Sequence, residues 1–513
     1  MALPLLPTTL AASTAALDQL DVDWVAMPLF EGELPAAVAQ VDDATRGELG
    51  RALTSGEFKG KRYELFVLPV VEGAFRARRL VLVGGGAAAE YRPDVARRLA
   101  TVVGLRARER RAGRVAFVLR MPDGGVSAPP DTVWIQAVSE GLTLAEHDSA
   151  QYKSIQEPQP PIVFSVVVQG SAGSPFAAAT SAADRGRQIA HCVNLARELT
   201  NEPGNLLSPR IFGHRARHVV SGTALTIDVL DGNSIDELGM GLIAGVGRGS
   251  HEAARVIVVR HDPPGARDVP VLGLIGKGVT FDSGGLSLKT ADGMERMKDD
   301  MAGGAAVLAA MRAIALLQVP VRVVAVVPAV ENMPGGGATR PGDVLRGGGG
   351  RTVEVVNTDA EGRLLLGDAL WYAQQLGATH LVDIATLTGA CAVALGRSTA
   401  GLFGRPDSWR DRVRGAADRC GERVWPLPLI DEEREQLKSE IADTVNSGTR
   451  YGGAITGALF VGEFAVDRPW AHIDIAGPAW NSDAKPYQPK GATGYGVRTL
   501  VDLALDLASN PPA

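Results

Sequence analysis

The chain has 513 residues, 45% of them hydrophobic, with 61 glycines and a formal net charge of −6; it exceeds one typical domain and can bury a large core. The acidic balance argues against a dedicated nucleic-acid binder, and no apolar run is long enough to span a bilayer. Three scattered cysteines and the lack of a secretory signal pattern lead us to expect a cytoplasmic protein.

The first third of the chain predicts an α/β domain. Residues 79–83 are typical of a buried strand, 95–110 of a helix and 114–119 of a second strand, which together make a strand–helix–strand unit. Three glycines, 84–86, follow the first strand. They are a weak candidate for a phosphate-binding loop, and a tight turn explains them better.

A basic run near the end of that helix is the one feature that could support DNA binding. A solvated helix end, where cations favour the helix dipole, is the competing interpretation. The run consists of Arg106, Arg108, Arg110, Arg111 and Arg114.

Proline-rich and small polar segments then indicate a domain boundary. Residues 157–161 contain three prolines, and residues 171–174 are small and polar. Apolar residues recur at largely helical spacing over 181–200. We therefore predict an N-terminal domain over residues 1–175 and a catalytic domain over 176–513, with a linking helix at 176–200.

The first chemical motif of the second domain follows an apolar run at 269–275. Glycines surround Lys277, Asp282 and Lys289 just after this predicted strand, where open α/β sheets bind their ligands. Asp300 then opens a predicted helix of small residues over 301–317. Capping of that helix is a strong alternative for this acid taken alone.

The octapeptide Asn357–Leu364 carries the second motif. In an extended backbone Asp359, Glu361 and Arg363 point to the same side, and two adjacent acids repel unless a cation lies between them. A solvated turn with a surface ion pair is the alternative for this segment alone. Both motifs together offer oxygen ligands for divalent cations, with basic side chains beside them. Residues 321–329 and 380–387 predict buried strands, and 364–376 a helix.

Both motifs resemble the signatures of the leucyl (cytosol) aminopeptidases, a family of dinuclear metallopeptidases. The similarity covers roughly residues 185–505 and includes residues 331–334, 340–343, 383–390, 452–456 and 472–477. Membership implies an α/β protein of two domains. The smaller is N-terminal, and the larger, C-terminal and catalytic, has a central mixed, largely parallel sheet.

The resemblance also implies residue roles. Asp282 and Glu361 would bridge two metal ions, Asp359 would complete one metal site, and Lys277 and Asp300 would complete the other. Lys289 would stabilise the developing oxyanion, and Arg363 would hold a bicarbonate that acts as general base. The side-chain pocket would be lined by Met297, Thr386, Leu387, Gly389, Ala476 and Ala479. Ordinary core packing is the alternative for Met297 and the alanines.

The implied activity is release of N-terminal residues from peptides, with leucine and other apolar residues preferred. Two metal ions, Mn²⁺ or Zn²⁺ with Mg²⁺ as a further candidate, would activate a bridging water. The family resemblance also implies a homohexamer. Two alternatives stay open: a DNA-binding or regulatory role on the same scaffold, and a dipeptidase for cysteinyl-glycine. The sequence contains no His-Glu-x-x-His, Gly-x-Ser-x-Gly or P-loop motif that would favour another chemistry.

Overall fold

The computed structural model describes residues 10–33, 38–71, 73, 75–122, 132–148, 150, 152–154, 161–168, 174–268 and 270–512. Within these ranges the chain forms two compact units. The first runs to Asn194 and includes Asp483–Pro489, and the second comprises Leu195–Ser482 and the residues from Lys490 onward. The boundary segments 157–161 and 171–174 lie almost entirely outside the described residues, so a boundary at residue 175 stays a prediction.

The first unit is built around one sheet. Its described strands are β1 (Leu10–Ser13), β2 (Trp24–Leu29), β3 (Leu65–Pro69), β4 (Arg79–Gly84), β5 (Arg114–Val118) and β6 (Val163–Val167). The helices are α1 (Ala39–Ala44), α2 (Glu48–Ser55), α3 (Pro93–Glu109), α4 (Thr132–Leu144) and α5 (Ser174–Asn201), the last of which continues into the second unit. The strand order is β1-β6-β5-β2-β4-β3, and every pair is parallel except β3–β4.

The predicted strand–helix–strand unit is present as β4, α3 and β5, and Pro93 begins the helix. Its two strands are not neighbours, because β2 lies between them and pairs with both in parallel. Residues 85 and 86 follow β4 as irregular loop, with Gly86 at a φ of +77°, instead of the expected tight turn. A side chain at Gly84 would overlap the carbonyl oxygen of Lys61, so glycine permits a close backbone approach there.

The basic run extends from the end of α3 to the start of β5, and three of its arginines contact local partners. Arg106 pairs with Glu109 at 2.6 Å, and Arg114 pairs with Asp21 at 2.9 Å. Arg108 donates hydrogen bonds of 2.8 Å to two main-chain carbonyls, those of Ala145 and His147. These contacts favour the solvated helix end over a surface that presents free cations to DNA.

The second unit holds the remaining elements. Its described strands are β7 (Thr226–Leu230), β8 (Arg255–His261), β9 (Val271–Gly276), β10 (Gly278–Asp282), β11 (Arg322–Asn332), β12 (Val344–Arg346), β13 (Thr352–Glu354), β14 (His380–Ala385), β15 (Ala400–Arg405), β16 (Val424–Pro426), β17 (Thr444–Val445), β18 (Trp470–Asp474), β19 (Trp480–Asn481) and β20 (Gly491–Ala492). The helices are α6 (Pro209–Val220), α7 (Gly232–Glu237), α8 (Gly241–Gly247), α9 (Ala302–Leu316), α10 (Gly362–Gln375), α11 (Gly389–Leu395), α12 (Asp407–Cys420), α13 (Gly453–Gly462) and α14 (Val497–Ser509). The predicted strands and helices of the catalytic motifs are thus confirmed as β9, β11, β14, α9 and α10.

The main sheet of this unit is mixed and largely parallel. Its order is β16-β15-β18-β14-β9-β11-β8-β7, with β10 paired to β11. The strands β18, β14, β9, β11 and β10 all run in the same direction, so their carboxyl ends meet at one edge. A small sheet of β12, β13 and β17 and the pair β19–β20 stand apart from it.

Helix α9 packs unusually close to that edge, and its small residues are the reason. The amide of Gly304 donates to the carbonyl oxygen of Lys277 at 2.7 Å, and a side chain at Gly303 would overlap the carbonyl oxygen of Ile384. The residues of α9 are almost all small or apolar and buried. Because the helix starts against the strand ends, Asp300, two residues before its start, lies at the same edge. Among the described residues, no helix is both long and apolar enough to cross a membrane.

The packing of α4 on α3 supplies a stability prediction. Substitution Gly141→Ala places a methyl group against the carbonyl oxygen of Arg97. We expect the free energy of unfolding to fall by about 1–3 kcal/mol, which would be measured as a lower thermal midpoint. The control is Gly415→Ala in α12, where the new methyl meets only the flexible end of Arg419. That variant should be neutral or gain up to about 1 kcal/mol, and equal losses in both would contradict the packing argument.

Candidate metal centre

Five predicted ligands converge at the carboxyl edge of the main sheet. Lys277 directly follows β9, and Asp282 is the last residue of β10. Asp300 lies in the 3-10 helix Met294–Met301 that leads into α9. Asp359 and Glu361 lie in the loop between β13 and α10. Parallel strands deliver the first two to one edge, and the helix and loop packed there deliver the others.

The distances define a single cluster. Carboxylate oxygens of Asp282, Asp359 and Glu361 all lie within 4.8 Å of one another. The Lys277 Nζ lies 2.8 Å from Asp300 Oδ1 and 2.7 Å from Glu361 Oε1. The structure therefore brings together every residue that the sequence predicted as a metal ligand.

Lys289 contacts the two carboxylates of the cluster that Lys277 does not pair with. Its Nζ lies 2.7 Å from Asp282 Oδ2 and also forms an ion pair with Asp359. It is less enclosed than Lys277, with 23% of its side chain exposed against 4%. Lys289 thus lies at the mouth of the cluster, where an incoming molecule can reach it.

The conformation of the octapeptide differs from the expectation. Residues 358–359 form a turn, and Glu361 already has helical dihedral angles of φ −76° and ψ −36°. The prediction of an extended backbone that points Asp359, Glu361 and Arg363 to one side is therefore wrong. The carboxylates of Asp359 and Glu361 converge because the chain turns at residues 358–359 and then starts α10. Their convergence does not come from the alternation of side chains along a strand.

The tight loop that carries Asp282 needs glycine. Gly284 and Gly285 have φ angles of +90° and +64°, which residues other than glycine rarely adopt. A Cβ on Gly284 would also lie 2.9 Å from Asp359 Oδ1. Glycine at this position therefore lets the two acid-bearing loops approach each other.

The electrostatics of the cluster call for more positive charge. Burial raises the pKa of Asp300 and of Glu361, with neighbouring carboxylates adding to the rise and Lys277 partly opposing it. Burial alone would lower the pKa of Lys277, but the carboxylates of Asp300, Glu361 and Asp282 outweigh it and raise the pKa above its usual value. Each of these groups therefore favours a nearby partner of opposite charge.

Two buried oxygens of the cluster have no hydrogen-bond partner among the described residues. They are Asp300 Oδ2 and Glu361 Oε2, both in residues that are nearly inaccessible to solvent. Buried carboxylate oxygens without partners are costly, and oxygen-rich sites of this kind suit divalent cations. The residues present thus fit a metal centre, since a cation would satisfy both oxygens.

Arg363, in the first turn of α10, is buried beside the cluster. Its Nη1 donates to the carbonyl oxygen of Asn446 at 2.9 Å, while its Nε has no partner among the described residues. Burial lowers the pKa of Arg363 to about 10, partly offset by Glu361 and Asp474. The guanidinium is therefore charged at neutral pH and has an unsatisfied donor that an anion could accept from.

The predicted pocket residues lie around the same edge. Thr386 follows β14; its Oγ1 donates to Asp300 Oδ1 at 2.8 Å, and its carbonyl oxygen accepts from Lys277 Nζ at 3.0 Å. Met297 shares the 3-10 helix of Asp300. The others follow the ends of β14 and β18 and comprise Leu387, Gly389, Ala476 and Ala479. Ala479 is buried and Gly389 is exposed, so they differ in access to solvent.

Two residues that shape the site received no role from the sequence. Asn332, at the end of β11, donates from Nδ2 to Asp282 Oδ1 at 2.8 Å and to the carbonyl oxygen of Thr358 at 3.0 Å. Asp474, at the end of β18, accepts from the amides of Leu387 and Ala476 at 3.2 and 3.1 Å. Both fall within the family-like segments, and their place at the end of a parallel strand was the signal available.

A buried cluster of acids and lysines at the carboxyl edge of a mixed sheet defines the site of a metal-dependent hydrolase. The family model described as "Cytosol aminopeptidase family, catalytic domain" matches residues 194–501, and the model for the N-terminal domain of that family matches residues 26–156. The chain belongs to the cytosol aminopeptidase family, and it is a metal-dependent aminopeptidase.

The similarity to known relatives and to solved structures extends along nearly the whole chain. A probable cytosol aminopeptidase of Solibacter usitatus is 45% identical over 490 residues, 96% of this chain and 98% of the relative. A tomato leucine aminopeptidase mutant is 32% identical with a TM-score of 0.87, over 97% and 96% of the two chains. The bottromycin maturation enzyme BotP in complex with Mn is 35% identical with a TM-score of 0.82, over 95% and 100%. These matches lend no support to the DNA-binding or cysteinyl-glycine alternatives.

The unsatisfied carboxylate oxygens lead to a prediction about metal removal. Adding Mn²⁺ to chelator-stripped protein should raise the thermal midpoint. At a free Mn²⁺ concentration of 100 times Kd, the free energy of unfolding should rise by about 2.7 kcal/mol. Substitution Glu361→Gln should remove most of this effect, because it deletes one charge shared within the cluster. The matched control Glu237→Gln changes an exposed acid in α7 and should keep the full effect. An equal rise in all three proteins would show that the ion binds elsewhere.

Proposed function

We propose that this chain is a leucyl-type aminopeptidase whose centre holds two divalent metal ions. The observation that carries the proposal is the buried cluster in which carboxylate oxygens of Asp282, Asp359 and Glu361 lie within 4.8 Å of one another. Asp282 and Glu361 would bridge the two ions, and Asp359 would complete one site. Lys277 and Asp300 would complete the other.

Two divalent ions held in this way would offer a ligand position to a free α-amino group, polarise the scissile carbonyl and lower the pKa of a shared water. The requirement for a free amine makes the expected activity an exopeptidase. Lys277 is protonated among its carboxylate partners. Metal ligands bind without their protons, so Lys277 would release a proton when the centre is loaded.

Lys289 would stabilise negative charge that develops on the scissile carbonyl oxygen. It is the more exposed of the two lysines and is held in place by Asp282 and Asp359. A fixed cation at the mouth of a buried site acts without the reorganisation that solvent would need. In this role Lys289 donates a hydrogen bond as charge builds up.

Arg363 would hold a bicarbonate ion that acts as the general base. The free Nε and the buried position of the guanidinium support this role, since an anion placed there would both pair with the charge and accept a hydrogen bond. The carbonyl of Asn446 fixes the other side of the guanidinium. The charges of Glu361 and Asp474 both act on Arg363 and raise its pKa against the effect of burial.

The expected preference is for N-terminal leucine and other apolar residues. The predicted pocket residues are mostly small and apolar, which suits an apolar N-terminal side chain better than a charged one. They comprise Met297, Thr386, Leu387, Gly389, Ala476 and Ala479. The name of the tomato relative, a leucine aminopeptidase, supports the same preference.

The metal, the assembly and the compartment are further parts of the proposal. The Mn named with BotP supports manganese over zinc, and Mg²⁺ is a further candidate for an oxygen-rich site. A homohexamer rests on the family resemblance, and light scattering should then give six times the mass of the chain. A cytoplasmic location is supported by the name of the Solibacter relative.

The proposed activity can be tested directly. Chelator-stripped protein should not hydrolyse leucine p-nitroanilide, and Mn²⁺ or Zn²⁺ should restore turnover. An N-acetylated analogue should be inert, because its amine can no longer act as a ligand. Glu361→Gln should abolish turnover. Hydrolysis of the acetylated analogue at a similar rate, or no turnover with any metal in folded protein, would contradict the assignment.

A second test addresses Lys289. Substitution Lys289→Met should lower kcat about 100- to 1000-fold with a small change in KM, since the lost interaction is one made mainly in the transition state. The control Lys438→Met removes an exposed lysine that pairs with Glu435 on the surface and should leave both constants unchanged. An unchanged kcat in metal-loaded Lys289→Met would remove Lys289 from the mechanism.

A further inference from the structure

Asn446 enters the site from a segment that the catalytic motifs do not include. It follows β17, which pairs in parallel with β13, and its amide donates to the carbonyl oxygen of Glu354 at 2.9 Å. The whole residue is inaccessible to solvent. The pairing therefore extends one residue beyond β17 and places Asn446 beside the start of the octapeptide loop.

The side chain of Asn446 uses both ends of its amide on that loop. Its Oδ1 accepts from the amides of Val356 and Asn357 at 2.9 and 3.3 Å. Its Nδ2 donates to the carbonyl oxygens of Asn357 and Ala360 at 2.6 and 3.2 Å. The loop main chain is thus bound on both sides of Asp359 and immediately before Glu361.

The main chain of Asn446 completes a link to the guanidinium, because its carbonyl oxygen accepts from Arg363 Nη1 at 2.9 Å. One buried residue therefore contacts the loop that carries two acids and also the cation next to them. The contacts join groups more than eighty positions apart in the sequence, so they are formed only in the folded protein.

We propose that Asn446 is a positioning residue that holds Asp359 and Glu361 at the spacing of the metal centre and aligns Arg363 beside them. This inference rests on the proposed function, since it takes both acids as metal ligands. Asn446 touches none of the carboxylates itself. It acts through the backbone of the octapeptide loop.

The chemistry of the side chain explains why asparagine is suited to this position. Only an amide offers an acceptor for two N–H groups and a donor for two carbonyl oxygens in so small a volume. Alanine would leave these four loop groups without their partner in a buried place. The loop would then relax, and the acid oxygens would lose the geometry that a cation requires.

The test measures metal binding rather than turnover. Full-length, chelator-stripped protein is dialysed against Mn²⁺, and the affinity of each variant is compared. Substitution Asn446→Ala should weaken Mn²⁺ binding about 10- to 100-fold, the range seen when groups that orient metal ligands are removed. The matched control Asn194→Ala removes another buried asparagine, which donates to the carbonyl oxygen of Thr143 in the first unit. It should bind Mn²⁺ as the wild type does.

A loss of stability without a change in Mn²⁺ affinity in Asn446→Ala would overturn the inference, because a purely structural residue would behave in that way. If Asn446→Ala does not fold, the milder Asn446→Ser is judged by the same criterion. Glu361→Gln separates the two proposals. Wild-type protein that binds no Mn²⁺, or Glu361→Gln that binds it normally, would refute the metal centre itself. Normal binding by the Asn446 variants alone would refute only the role of Asn446.

Discussion

Mutual repulsion among carboxylates at the carboxyl edge of the main sheet is the constraint on which the second unit depends. Asp282, Asp300, Asp359 and Glu361 lie so close together that three of them offer oxygens within 4.8 Å. Such a cluster is stable only if surrounding groups compensate the charge. Lys277 and Lys289 compensate part of the negative charge, and the two carboxylate oxygens without partners are available to a divalent cation.

The fold creates this arrangement because several strands and helices begin or end at the same edge of the main sheet. Parallel strands end together, α9 starts against them because Gly303 and Gly304 lie in its first turn, and α10 starts directly after Glu361. The loops between these elements are tied down by amide side chains, Asn332 on one side and Asn446 on the other. The centre is therefore organised mainly by main-chain positions, and its acids need little freedom to reach one another.

Much of this could be predicted from the sequence, and the failures share one cause. The buried strand before Lys277, the small-residue helix after Asp300 and the helix after Glu361 all appear as predicted, since apolar patterns and glycines are local signals. The prediction of an extended octapeptide is wrong, because the conformation of this segment depends on contacts with distant loops and not on a two-residue alternation of side chains. The sequence predicts no role for Asn332 or Asp474, because the role of a polar residue at a strand end depends on partners that only the fold brings to it.

The amino-acid sequence alone establishes the chemical inventory: which acids and lysines are available, which family the chain resembles and which strands are buried. Those properties reside in residue types and in their spacing along the chain. Which of these groups meet depends on folding, which places Lys277 between Asp300 and Glu361 and brings Arg363 to a carbonyl oxygen of a remote segment. Such contacts depend on strand order and loop closure over tens of residues, and local patterns carry no information about the distances that result.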